Sequence, residues 1–217
     1  MDYMIRFPGV RIHPTAIIEE GVCIGEGTVI WDNVHIRRNT VIGRRCIIGE
    51  KTYIAYDVCI GNLVKINSMV YICTGVTIED GVMISAGVVF TNDRFPRAVL
   101  PDFSDLVTSE PTEETLQTIV RRGATIGANA TIGPGLTIGE WAMVGMGSVV
   151  TRNVGDYCLV YGNPARHQGY VCRCGFPLGG VDVFAQSVEG KATCHRCRRV
   201  YSQIQGRVVL LEDYLSI

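Results

Sequence analysis

Residues 16–54 read AIIEEGVCIGEGTVIWDNVHIRRNTVIGRRCIIGEKTYI, and an isoleucine falls in this stretch at every sixth position. Followed outward, the register runs Ile12, Ile18, Ile24, Ile30, Ile36, Ile42, Ile48, Ile54, Ile60, Ile66, Ile72, Ile78, Ile84 and then Phe90. It resumes at Val120, Ile126, Ile132, Ile138, Val144 and Val150. Of 22 isoleucines, 16 occupy this one register, where chance would place about one in six, so the pattern is structural. Two residues earlier, a second register holds small or branched side chains, among them Ala16, Val22, Thr28, Val34, Thr40, Cys46, Thr52 and Val58.

A period of six matches neither an amphipathic helix at 3.6 nor a long alternating strand at 2. It matches a short strand that turns a corner and repeats, with two inward positions per six. Glycine often follows the large apolar residue, as at Gly25, Gly43, Gly49, Gly61, Gly127, Gly133, Gly139 and Gly145. The expectation is that these glycines relieve unusual φ/ψ at the corners. Three strands per turn give an 18-residue triangular coil, with parallel strands stacked about 4.8 Å apart.

The bulk composition agrees with a folded domain plus a small module. The chain has 217 residues, 47% apolar and 19% charged, with mean hydropathy +0.22. Its 20 basic and 21 acidic residues give no global charge toward nucleic acid or membrane. The N-terminus MDYMIRFPGV lacks a signal-like apolar run, and about 18 consecutive apolar residues occur nowhere. Nine cysteines fall into two groups. Cys23, Cys46, Cys59, Cys73 and Cys158 are scattered, while Cys172, Cys174, Cys194 and Cys197 form two close pairs. That usage points to a reducing cytoplasm and a metal site. Two pairs about twenty residues apart are the pattern of a zinc ribbon, here CxC with CxxC; two disulfides or free thiols are the alternatives. Four thiolates leave no open coordination position, so the metal would be structural.

Residues 91–119 break the repeat. Pro96, Asp102, Thr108 and Glu114 occupy its register and none suits a core, so the segment is expected to be an extruded loop of the kind that carries function. After about residue 155 the repeat dissolves. The expected division is a β-helix over 1–165, with the loop inserted, and a ribbon-like module over 166–217.

The repeat resembles the hexapeptide-repeat family, and that resemblance implies a mainly β fold, a left-handed parallel β-helix. VVFTNDRFPRA (88–98) and VYGNPARHQG (160–169) resemble signatures of nucleotide-sugar N-acetyltransferases, and residues 61–82 resemble the uronic-acid branch. The resemblance covers roughly residues 10–170. It implies transfer of an acetyl group from acetyl-CoA to a 3- or 4-amino group of a UDP- or dTDP-linked sugar, for bacterial surface glycans such as lipopolysaccharide. It also implies a homotrimer with active sites between neighbouring prisms.

Such chemistry needs a neutral amine and a stabilised oxyanion. Asn92 and Asp93, where the chain leaves the prism, are the candidate catalytic pair; Asn92 would hold the amine or polarise the carbonyl, and Asp93 would orient the amine and take its proton. The same pair also fits an Asx-turn that opens the loop. His35 is a rival base by its titration range. Residues 18 apart stack, so His35, Tyr53, Tyr71 and Val89 form one column, and His35 lies three coils, roughly 14 Å, from Val89. It is therefore expected to reach substrate rather than to act as base within one chain. Asn67, Tyr71, Ser85, Arg94 and Arg97 are the further substrate candidates. Gly127 and Gly145 would let a pantetheine arm lie against backbone, with Arg152 and Arg166 as phosphate partners. A γ-class carbonic anhydrase would need three histidine ligands, and the repeat holds only His13 and His35. A non-catalytic solenoid scaffold is the alternative reading. Nucleic-acid binding through the ribbon is disfavoured by the absence of an aromatic stacking platform.

Overall fold

The computed structural model describes residues 6–108, 110–112 and 115–213, and the statements below concern those residues. Glu114, and the ends of the two expected domains at residues 1–5 and 214–217, lie outside them. Strands of two or three residues recur every six positions from Arg11–Ile12 to Val89–Phe90, and again from Thr118–Val120 to Val149–Val150. Each pairs in parallel with the strand one coil on: Ile12 with Ile30, Ile18 with Ile36, Ile24 with Ile42. The first sheet climbs through Ile30, Ile48, Ile66, Ile84, Ile126 and Val144 to Val160. With two further parallel sheets it closes a three-sided solenoid of about eight turns.

The isoleucine register forms the axis of the core. Its members from Ile30 to Ile84 are each at most 3% exposed, and each contributes roughly 1.5–3 kcal/mol by burial. The second register holds threonines because their hydroxyls find acceptors on the next coil. Thr28, Thr40 and Thr52 donate to the carbonyls of Gly43, Ala55 and Asn67 at 2.9, 2.8 and 3.1 Å, so these three buried hydroxyls are paired.

The glycine expectation needs correcting. The corner residues with positive φ lie two places further on, at Asn33, Asn39, Arg45, Lys51, Asp57, Leu63, Met69, Asn129 and Trp141. Gly43 and Gly127 have ordinary φ but no room for a side chain. A Cβ on Gly43 would sit 2.5 Å from the Gly61 carbonyl oxygen, and one on Gly127 would sit 2.5 Å from the Met146 nitrogen. These glycines let successive coils approach; they do not relieve backbone strain.

The extruded loop is real. Ile78 pairs with Val120, 42 residues on instead of 18, so the insertion adds 24 residues without disturbing the register. At the other end, Val144 pairs with Val160, and Cys158–Gly162 then turns into the antiparallel strand Ala165–Val171, followed by Pro177–Gly180. The solenoid's first sheet thus runs on through residue 180, past the expected boundary at 165/166. A short helix, Val183–Gln186, leads to a separate antiparallel sheet of Lys191–Thr193, Val200–Ile204 and Arg207–Glu212. Tyr157, Tyr170, Leu178, Phe184, Tyr201 and Val208 make a second, smaller core beneath it. No helix among the described residues is long and apolar enough to cross a membrane.

Candidate functional site

Parallel stacking turns residue number into height along the solenoid, at about 4.8 Å per coil. After the second sheet, the corner position is filled by Glu19, Arg37, Ala55, Cys73 and Thr91 in successive coils. One residue further on come Arg38, Tyr56, Thr74 and Asn92. Side chains with chemistry therefore accumulate along one edge of the prism, and the loop departs from its upper end.

From Asn92 the loop runs back down this edge. Glu110 reaches Arg38 at 2.9 Å, three coils below Asn92, before the chain returns to the prism at Thr118. Between loop and prism lies a cavity of about 1380 Å³. Arg37, Tyr53, Tyr56, Tyr71, Cys73 and Thr74 form its wall, and Asn92, Asp93, Arg94, Phe95 and Arg97 stand at the loop's root.

Its floor is held by one carboxylate. Glu19 accepts from His35 Nε2 at 2.9 Å and from the Arg38 backbone N–H at 2.9 Å, and it pairs with Arg37 Nε at 2.6 Å. Arg37 Nη1 donates onward to the Tyr53 hydroxyl at 2.8 Å. Burial raises the Glu19 pKa, but the bonds from Arg37, Arg38 and His35 outweigh it and hold the carboxyl below its ordinary value. Tyr53 stacks on Tyr71, with ring centroids 5.3 Å apart and planes within 5°. Burial pushes the Cys73 thiol up to about 12, so it stays neutral on the cavity wall.

Of the residues singled out in the sequence, Asn92, Asp93, Tyr71, Arg94 and Arg97 come together here. Asp93 also makes the expected Asx-turn, its carboxylate accepting the Phe95 N–H at 2.8 Å. His35 sits below the cavity, bound to Glu19 and edge-on to Tyr53. Asn67, Ser85, Gly127 and Gly145 share a different edge, between the first and second sheets, each N–H donating to the coil above. Arg152 and Arg166 are exposed near the C-terminal end, Arg166 bonding the Ala165 carbonyl at 2.9 Å. Sequence reading passed over Arg37, Tyr56, Cys73 and Thr74. The signal was present in the 18-residue spacing, which puts Arg38, Tyr56 and Thr74 directly under Asn92.

The four C-terminal cysteines converge. Cys172 sits on the hairpin that leaves the solenoid, Cys194 and Cys197 on the separate sheet's turn, and all four sulfurs lie within 4.8 Å of one another. Cys172 and Cys197 are 3.3 Å apart, and Cys174 and Cys194 3.6 Å. A zinc ion at about 2.3 Å from each of four sulfurs would hold them roughly 3.8 Å apart, so the residues fit that metal. Burial raises the Cys172 thiol to about 12. Burial also pushes Cys197 up, but N–H groups of Arg199 and its sulfur neighbours overcome this and bring it down to about 6. The buried Tyr201 hydroxyl bonds Cys172 Sγ at 3.2 Å and accepts the Arg173 N–H at 3.0 Å, tying the two halves of the cluster together.

The sequence matches known proteins. Residues 24–56 and 117–152 match the bacterial transferase hexapeptide model (six repeats). The chain is 46% identical over 92 residues to a dTDP-3-amino-3,6-dideoxy-alpha-D-galactopyranose 3-N-acetyltransferase of Aneurinibacillus thermoaerophilus. That match covers 42% of this chain and 44% of the relative, so the chain spans under half the length of the curated relative it matches. In fold it is similar to AntD, an N-acyltransferase from Bacillus cereus solved with dTDP and 3-hydroxybutyryl-CoA. The TM-score is 0.53 at 23% identity, covering 79% of this chain and 87% of that one.

Proposed function

Because the chain carries bacterial transferase hexapeptide repeats, we propose that it is an N-acyltransferase that moves an acetyl group from acetyl-CoA to the 3- or 4-amino group of a nucleotide-linked sugar. The observation that carries this reading is the 46% identity to an enzyme named for that reaction on a dTDP-3-amino sugar. The geometry supports it, since the cavity is large, lined by polar and apolar side chains alike, and has Asn92 and Asp93 in its lining. A non-catalytic scaffold is not favoured.

In this reading the neutral amine attacks the thioester carbonyl, forming the C–N bond and a tetrahedral oxyanion. The C–S bond then breaks, and coenzyme A leaves as a thiolate that takes up a proton. The Asn92 amide donates to the amine's neighbourhood or to the carbonyl oxygen. One oxygen of Asp93 stays on the Phe95 N–H, which fixes the carboxylate, and the other orients the amine and accepts its proton. Tyr71, Arg94 and Arg97 face the sugar and its phosphates. His35, Asn67, Ser85, Gly127, Gly145, Arg152 and Arg166 lie away from the cavity within one chain. They join the site in the expected homotrimer, where a neighbour's edge adjoins this one and takes nucleotide and coenzyme A. Exposed apolar side chains on the loop, Phe95 (81%), Phe103 (83%) and Leu106 (71%), support burial against such a partner. The enzyme would work in the cytoplasm, in surface-glycan synthesis. Zinc held by Cys172, Cys174, Cys194 and Cys197 would cross-link the C-terminal module and supply no catalytic chemistry.

The test is thiol release from acetyl-CoA with a panel of dTDP- and UDP-linked 3- and 4-amino sugars, with mass spectrometry of the product. An N-acetylated nucleotide sugar is expected. No turnover with any member of the panel would overturn the reading.

A further inference from the structure

The loop meets the lower prism edge at Glu110, whose carboxylate holds Arg38 Nη2 at 2.9 Å. The Arg38 guanidinium lies 4.5 Å over the ring of Tyr56, and Tyr56 is part of the cavity wall. The neighbouring Arg37 is already committed to Glu19 and Tyr53. Arg38 differs, since its partner sits on the loop and both side chains of the pair are largely in solvent, 42% and 64% exposed. Such a pair is worth little on its own. A phosphate, with two oxygens matched to the guanidinium fork, binds arginine better than one carboxylate oxygen does.

We propose that Arg38, at the edge of this cavity, is an anion-binding residue, and that Glu110 occupies it in the free protein as an internal stand-in for a phosphate of the incoming nucleotide. This rests on the nucleotide-sugar reading and adds a residue and a competition to it. Binding of the nucleotide displaces Glu110 from Arg38. Arg38 and Glu110 touch beside the cavity, so a purely structural role would make their substitutions act alike. Competition for one guanidinium makes them act oppositely.

The experiment is titration calorimetry of the full chain with dTDP and with UDP, for wild type, Glu110→Gln, Arg38→Met, Arg38→Lys and the double variant Glu110→Gln/Arg38→Met. Glu110→Gln is expected to tighten binding by up to about fivefold, the range of an exposed ion pair. Arg38→Met is expected to weaken it about tenfold or more, as for loss of a charged hydrogen bond, with Arg38→Lys in between. The double variant should bind like Arg38→Met, because without Arg38 there is nothing for Glu110 to contest. Unchanged or weakened binding by Glu110→Gln overturns the proposal, whatever Arg38 does. If wild type binds neither nucleotide, the nucleotide-sugar reading falls and the proposal with it. Wild-type binding with an unmoved Glu110→Gln value sinks the proposal alone.

Discussion

Gly127→Ala separates two roles for one residue. As a cofactor contact, Gly127 would matter because bound coenzyme A needs room. The coils give another reason: a Cβ there would stand 2.5 Å from the Met146 nitrogen, 2.7 Å from the Gly145 carbonyl carbon and 2.8 Å from the Val144 oxygen. All three are backbone atoms of the next coil, so no side chain can swing aside. Reaching ordinary contact near 3.4 Å requires that coil to recede by about 0.9 Å. The bonds flanking the point, Gly127 N–H to Val144 O and Gly147 N–H to Ala128 O, are both 2.8 Å. Stretched by that amount they pass beyond hydrogen-bond range. Overpacking costs roughly 1–3 kcal/mol and each of the two lost bonds about 1 kcal/mol, so about 3–5 kcal/mol is expected. For a chain of this size that lowers Tm by roughly 6–20 °C. Scanning calorimetry without ligand is the assay, with Gly147→Asn as control. Gly147 has φ +67° and nothing within 4 Å of its Cβ, so asparagine, which tolerates that conformation, should be nearly neutral there. A Gly127→Ala protein with wild-type Tm and a raised KM for acetyl-CoA would refute the stacking argument and restore the cofactor one.

Asn92→Ala and Asp93→Ala should each lower kcat on the order of 10²-fold with the fold intact, measured by thiol release; near-normal kcat in both would leave them only a turn-forming role. Metal analysis after dialysis should find one zinc per chain, lost in Cys194→Ser and Cys197→Ser; zinc near zero, or a disulfide among these sulfurs, would defeat the assignment. Timed alkylation should label the exposed Cys23 and Cys59 first and spare the buried Cys46 and Cys73, with the C-terminal four reacting only after chelation. Light scattering should give about three times 23.8 kDa, and an active monomer would remove the shared-cleft arrangement.

The solenoid was legible because its cause is local and repeated. One isoleucine per six residues buries the same surface against the same neighbour in every coil, so a single period carries strand, corner and stacking together. The glycines misled because two demands sit two residues apart at each corner. Positive φ is met there by Asn33, Asn39, Lys51 or even Leu63, at a modest cost each. Close approach of coils admits no substitute where the next coil's backbone comes nearest. Sequence shows only that glycine is present, and coordinates separate the two reasons.

The candidate site was half legible for a related reason. Asn92, Asp93, Arg94 and Arg97 stood out because the loop interrupts the period. Arg37, Tyr56, Cys73 and Thr74 were hidden because outward positions carry no period of their own. They become a surface only when columns 18 apart are read together with the path of the loop. That path includes the contact of Glu110 with Arg38, 72 positions away in sequence, which no local pattern encodes. The cavity is therefore a product of two features, a ruler of stacked coils and a loop that an exposed ion pair joins to it. The ruler sets the distances between groups at about 4.8 Å steps. In the competition proposed above, nucleotide binding and the loop's contact with the prism meet at the Arg38–Glu110 pair.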